Sequence, residues 1–358
     1  MVSNTNEVEI LCCYDKLIEM KKFYIWLLCW AAFLKGANGQ DPNFAQFFSS
    51  PLNINPALTG NINGDWRIIS NFRDQWIGPA SPYVTGTISY DRKLFQEKLP
   101  GMAEKRTFGV GGMLMYDYAM AGVQKSTYGS LNLSYAMVLF EGDNESRHSI
   151  GVGFGAIYGR RYIDYSRVDF QEQFTGNGFD INLPTGEASL SNMKPYFSSS
   201  AGITYSIRNE KSNLDLGVAA FHLNKPKQTF LQDENQVLPV RKVAHANFET
   251  FLNERTILSF NGIYQFQKEA KYYSFGAAIG QYVGDQNNTL LNGGVWYWSK
   301  NAVIPYLGLT YNNFQFGISY DHTISKLRFA DPKAKTFEVS IILRGISDPS
   351  GIIPCPWK

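Results

Sequence analysis

From about residue 64 onward, apolar and polar side chains alternate strictly over one segment after another. Leu131, Leu133, Tyr135, Met137 and Leu139 interleave with Asn132, Ser134, Ala136 and Val138. Phe314, Phe316, Ile318 and Tyr320 interleave with Gln315, Gly317, Ser319 and Asp321, and Phe337, Val339, Ile341 and Leu343 with Glu338, Ser340, Ile342 and Arg344. A period of two puts successive side chains on opposite faces of an extended chain. The pattern predicts about fourteen strands: 64–74, 82–93, 106–118, 123–140, 146–160, 196–208, 213–222, 240–252, 255–266, 271–282, 288–298, 302–311, 314–321 and 336–345.

The second face of these strands is mostly Ser, Thr, Asn, Gln and Gly, with few Lys or Glu. A solvated sheet face would carry more charge. Small uncharged groups suit the interior of a barrel whose apolar side meets lipid, and strands in hydrocarbon must close into a barrel to satisfy their edges. The connections agree. Glu141–Glu145, Asn209–Ser212, Asn253–Glu254, Gly284–Asn287 and Asn312–Asn313 are short, whereas 161–195, 223–239 and 322–335 are long. Short periplasmic turns, long outer loops and an even strand number mark a single-chain outer-membrane barrel, antiparallel and up-and-down. Trp66, Trp76, Trp296, Trp298, Tyr306 and Tyr320 near strand ends are expected to form the interfacial girdles. The register also sets Leu133 against lipid and Asn132 in the lumen, so an arginine at 132 is expected to be milder than one at 133.

Composition narrows the class further. The 358 residues hold 15% aromatics and 32 Gly but only 18% charged residues, below the usual ~25%. Mean hydropathy is −0.23, which excludes a helical membrane protein. The net charge of +2 gives no electrostatic case for nucleic acid.

The one continuous apolar helix, Phe23 to Leu34, is too short for a bilayer, which needs ~20 residues. Lys21 and Lys22 precede it and Ala37-Asn38-Gly39 follows, the layout of a signal peptide. Residues 1–39 are therefore expected to be a cleaved signal, with Met20 as its start, residues 1–19 as an upstream extension, and cleavage between Gly39 and Gln40. Cys12, Cys13 and Cys29 would leave with it, so that Cys355 remains alone. The domains expected are an N-terminal periplasmic or plug segment (40–63), the barrel (64–345) and a C-terminal tail (346–358).

Catalytic and metal signals are weak. His148, His222, His245 and His322 have no metal-ligand spacing. Gly151, Gly153 and Gly155 lie inside a strand pattern and read as an inner face that must stay small. Asp321, His322 and Ser325 cluster at a strand end and read as a loop. Arg67, Arg73 and Asp74 read as lumenal or loop ion pairs. No enzyme, cofactor or metal is expected.

Several blocks, in order, resemble the PorP/SprF family of type IX secretion system membrane proteins. They are Gln40-Asp41-Pro42-Asn43-Phe44-Ala45-Gln46-Phe47, Pro51-Leu52-Asn53-Ile54-Asn55-Pro56-Ala57-Leu58-Thr59-Gly60, and Phe72-Arg73-Asp74-Gln75-Trp76. Further on come Phe221-His222-Leu223-Asn224-Lys225-Pro226-Lys227-Gln228-Thr229-Phe230, Gly317-Ile318-Ser319-Tyr320-Asp321, Phe337-Glu338-Val339-Ser340 and Cys355-Pro356. The resemblance implies an integral outer-membrane component of that machinery, supporting export or surface attachment of proteins with a C-terminal sorting domain, a gliding adhesin among them. It implies outer-membrane lipid, periplasmic ring proteins and the cargo sorting domain as partners. The competing reading is a passive channel for small solutes. Candidate partner-binding residues are Asn55, Pro56, His222, Asn224, Lys225, Lys227 and Cys355. By strand parity, 40–63 and 346–358 are expected to meet the secretion machinery in the periplasm, and the long loops to meet cargo; packing of 40–63 inside the barrel is the other placement.

Overall fold

The computed structural model describes residues 41–78, 81–97, 106–142, 146–186, 193–228, 237–284 and 288–345. The expected signal peptide with its cleavage point at Gly39 and Gln40, and the tail 346–358 with Cys355, lie outside the described residues. Among the described residues fourteen strands follow one another: β1 (Trp66–Ile77), β2 (Tyr83–Glu97), β3 (Arg106–Ala119), β4 (Gln124–Glu141), β5 (Arg147–Ile163), β6 (Tyr196–Arg208) and β7 (Ser212–Phe221). They continue with β8 (Arg241–Asn253), β9 (Thr256–Gln267), β10 (Ala270–Val283), β11 (Thr289–Trp298), β12 (Ala302–Tyr311), β13 (Phe314–Tyr320, resumed at His322–Thr323) and β14 (Lys335–Gly345). Each pairs antiparallel with its sequence neighbour, and β14 returns to pair with β1, from Trp66 opposite Gly345 to Asp74 opposite Phe337. The sheet is a closed barrel with no free edge, and no boundary departs from the sequence pattern by more than four residues.

The register is the one the alternation demands. Leu133 is 62% exposed on the outer face and Asn132 only 2% exposed inside. Phe154, Phe197, Phe275, Leu291 and Leu307 share the exposed apolar face. Leu133→Arg should cost about 2–4 kcal/mol if the side chain lies near the bilayer midplane. Urea unfolding in lipid vesicles measures this, and an unchanged midpoint would contradict a lipid-facing position. Arginine at 132 is accordingly no longer expected to be the milder change, because Asn132 is 2% exposed and faces the packed interior and not a wet lumen.

What fills it is the chain's own N-terminal segment. Residues 42–62 are buried apart from partly covered Asn43, Asn53 and Asn61. Asp41 lies beside His222, Arg241 and Gln267, at the mouth where the long connections gather. Asn61 meets Asp215 and Arg208 at the opposite, short-turn mouth, and the Asp65 amide donates to the Gly345 carbonyl there. The segment thus descends the length of the barrel before turning back into β1. This corrects the expectation that 40–63 waits in the periplasm for the secretion machinery. Parity fixes the mouth at which a strand begins, not the path of the chain before it. A wall bearing Arg67, Arg73, Asp91 and Glu338 out of water also needs internal partners.

The girdle expectation fails in part for the same reason. Trp76 and Tyr320 are exposed, but Trp296, Trp298 and Tyr306 point inward, where Trp296 and Tyr306 enclose Phe48 with ring centroids at 4.8 and 5.6 Å. On one side of the lumen Phe47, Phe48 and Ile54 join an apolar cluster with Phe221, Val243, Ile263 and Ile304. On the other, Phe44 and Leu52 pack on Met113, Met115, Tyr128 and Tyr196.

Candidate functional site: the plug and its seat

The plug has little regular structure of its own. Phe47–Ser49 and Pro56–Leu58 are single 3-10 turns and Pro51–Ile54 a single helical turn. Proline opens two of them, where its missing N–H costs no helical bond. The Asn55 side chain accepts from the Ala57 amide at 2.9 Å, and Thr59 Oγ1 donates to the Pro56 carbonyl at 2.7 Å. Turns this short are unstable alone. The wall holds them, at four places.

At the seam between β14 and β1, Glu338 is fully buried. Its carboxylate accepts from the backbone amides of Ala45 and Gln46 at 2.7 and 2.8 Å and from Arg73 at 2.8 Å. Arg73 also reaches Asp321 at 2.5 Å and lies 4.9 Å from the Trp298 ring. Asp321 lies at a one-residue break in β13, and the alternation that turns Gln315 and Ser319 inward also turns its carboxylate inward. Gln46 Nε2 donates to Ser319 Oγ, and Ser340 Oγ donates to Gln46 Oε1 at 2.7 Å.

Near the middle, Asn55 is completely buried and Nδ2 donates to the carbonyls of Ile203 and Val218 at 3.1 and 3.3 Å, with His245 Nε2 at 3.1 Å. Here the plug backbone touches the wall. A Cβ at Gly153 would collide with the backbone of Pro56 and Ala57, and one at Gly109 with the Thr59 carbonyl, while one at Gly202 would meet the side-chain carboxamide of Asn55. In the glycine run that the sequence offered as a small inner face, Gly153 must stay small because another backbone lies against it, whereas Gly151 and Gly155 face the wall side chains Thr204, Ser200 and Asn132.

Toward the short-turn mouth, Asp91 takes two bonds from Arg67 at 3.0 and 2.9 Å and one from the Gly60 amide at 2.8 Å. Ser134 Oγ donates to the Thr59 carbonyl at 2.5 Å.

At the long-loop mouth, Asp41 Oδ2 meets His222 Nε2 at 2.8 Å and Arg241 Nε at 3.1 Å, and the other ring nitrogen of His222 meets Ser198 Oγ at 2.8 Å. Burial opposes the charge on Asp41, yet His222 and Arg241 outweigh it and hold the carboxyl well below the usual carboxylate range. Such a group stabilises fully above its unfolded value of about 4 and loses its contribution as pH falls toward the folded value. Acidification below about pH 4 should therefore raise hydrogen exchange at the plug amides near Asp41, and Asp41→Asn should remove that part of the acid response. An unaltered acid response in the variant would mean that another group governs it. The Ser198, His222 and Asp41 order superficially suggests a hydrolase. Ser198 is fully buried beneath the plug, however, with no approach for a substrate, and the chain of bonds serves to fasten Asp41.

The sequence-derived candidates now have positions. Asn55 and Pro56 are buried in the plug and His222 is its receptor. Asn224 is exposed, but its amide accepts from Ser199 N at 3.1 Å and donates to the Phe197 carbonyl at 2.8 Å, closing the end of β6. Lys225 and Lys227 are exposed on the long-loop mouth. Cys355 lies outside the described residues. Asp321, His322 and Ser325 do not converge: Asp321 binds Arg73, His322 is exposed, and Ser325 accepts from the Leu327 amide at 3.4 Å. Sequence reasoning missed Glu338, Asp91 and Arg241 as seat residues, and Gln46 as the plug side chain that binds at the seam. A signal for the aromatic side of the seat did exist, in the runs Val295–Trp298 and Ala302–Leu307, which are largely apolar on both faces.

A closed barrel with an apolar outer belt and a self-filled lumen is an integral membrane protein of the outer-membrane type. The chain belongs to the PorP/SprF family of type IX secretion system membrane proteins, whose family model matches residues 36–343. It is accordingly an outer-membrane component of that secretion machinery. No curated protein matches the chain. Among solved structures it is similar to the toluene transporter TbuX of Ralstonia pickettii, with a TM-score of 0.45 and 12% identity over 83% of this chain and 94% of that one. It is also similar to a FadL homologue of Pseudomonas aeruginosa, with a TM-score of 0.40 and 11% identity over 81% of this chain and 92% of that one.

Proposed function

We propose that the protein is a binding and assembly component that supports export or surface attachment of proteins carrying a C-terminal sorting domain, a gliding adhesin being one such cargo. The filled lumen carries this reading. A barrel closed by its own residues 42–62 offers surfaces, not a conduit. The long-loop mouth presents exposed Phe174 and Phe179, paired at 5.2 Å, with Ile181 and Lys225 also exposed. Apolar side chains standing on loops are a feature of partner-binding surfaces. This face is assigned to cargo, and the tail 346–358, which follows β14 at the short-turn mouth, to periplasmic ring proteins.

The test is affinity capture from detergent-extracted outer membranes followed by mass spectrometry. Recovery of a sorting-domain protein, reduced at least about tenfold by Phe174→Asp with Phe179→Asp, supports the reading. Unchanged recovery moves cargo off this face. Normal cargo export in a strain lacking the protein would defeat the proposal as a whole.

A further inference from the structure

The geometry points to a second role for the plug, as an internal template that closes the barrel. Among the described residues all strand pairs but one join strands consecutive in the chain. The exception is the seam, where β1 must find β14 across the whole chain and set Phe72 opposite Val339. Until it does, both strands carry unpaired backbone groups that hydrocarbon cannot satisfy. The entropy of closing so long a loop makes this the pairing most in need of guidance.

The plug is tethered to one side of that seam from the outset, since residues 63–65 run directly into β1. Its recognition groups face the other side. The amides of Ala45 and Gln46 occupy both oxygens of Glu338 on β14, and the Gln46 side chain binds Ser319 of β13 and Ser340 of β14. On β1, Asn71 Nδ2 holds the Ser49 carbonyl at 2.9 Å, while Arg73 crosses the seam to Glu338. Plug residues 45–49 therefore straddle the junction of first and last strands. The direction of the plug adds an independent argument. Asp41 is at the long-loop mouth and Asn61 at the short-turn mouth. A barrel that closed first would have to be threaded lengthwise by its own N-terminal side. An open sheet can wrap around a segment already docked.

The experiment follows refolding of the chain, with its four native cysteines replaced by serine, from urea into lipid vesicles under oxidising conditions. One reporter pair, Gln46→Cys with Ser340→Cys, records docking of the plug on β14. Another, Phe72→Cys with Val339→Cys, records closure on the outer face. Docking is expected to be cross-linked before closure. With the closure pair as reporter, Glu338→Gln should slow cross-linking about tenfold. Asn55→Ala, which loosens the plug from β6 and β7 but not from the seam, should change it less than about twofold. Closure cross-linked ahead of docking would overturn the template, as would equal slowing by Asn55→Ala and Glu338→Gln. The order of the two cross-links needs no destabilising variant at position 338, so it decides the matter even if Glu338→Gln does not fold.

Discussion

Replacing Arg73 by alanine should cost the folded barrel about 3–5 kcal/mol, the usual consequence of removing one member of a buried ionic group. Arg73 is 1% exposed and stands between two carboxylates, Asp321 at 2.5 Å and Glu338 at 2.8 Å, which are themselves 2% and 0% exposed. Without the guanidinium, two buried carboxylates face each other with only neutral donors. A whole domain is stable by only about 5–15 kcal/mol, so the loss is a large share of the total. Arg73→Lys should recover part of it, because a single ammonium supplies charge but not the planar fork that serves two acids at once. Urea titration in lipid vesicles, read by the heat-modifiable band on cold gels, measures the difference. A loss under about 1 kcal/mol would mean that the cluster is hydrated and behaves as a surface ion pair.

The second large effect is expected at Gly153. A side chain there meets backbone of Pro56 and Ala57, which cannot rotate aside as a side chain could. Overpacking by a few methylenes ordinarily costs about 1–3 kcal/mol, and an unyielding neighbour puts Gly153→Leu at or above the top of that range. Relief requires the plug turn around residues 55–59 to leave the wall, at the expense of the Asn55 and Thr59 contacts on either side. The unaltered protein should be electrically silent in planar bilayers, and Gly153→Leu should conduct. Gly293→Leu is the control, since nothing lies within 4 Å of a Cβ at that position. Silent, folded Gly153→Leu would show that the plug can shift without opening a path. Conductance by the unaltered protein would revive the channel reading.

These two sites differ in how far they could be read from sequence. The glycine run was legible as a small inner face, because alternation with Val152 and Phe154 assigns the faces locally. Its purpose was not, because the plug that needs the space lies about a hundred residues away. Arg73 read as an inward ion pair, but its partners are separated from it by 248 and 265 residues, and no local rule connects them. Among the described residues, most of the family-like blocks contribute to the plug or its seat. Residues 41–60 are the plug itself, while Arg73, His222, Ser319, Asp321, Glu338 and Ser340 are in its seat or bind residues that are. The sequence showed these blocks one by one and offered Asn55, Pro56 and His222 as contacts for a partner. Only their convergence shows that they bind one another.

Strand number, strand boundaries, the lipid-facing register and the membrane barrel class were determined by the sequence alone. Each rests on a period of two and on turn composition, which are written within a dozen residues. The tertiary structure alone decided that the lumen is filled, that the N-terminal segment begins at the long-loop mouth, and that Trp296, Trp298 and Tyr306 look inward. The physical reason is range. Alternation says which side chains share a face, but not what the enclosed face will meet. In this barrel it meets a segment whose bonds reach across as many as 294 residues of chain, as from Gln46 to Ser340.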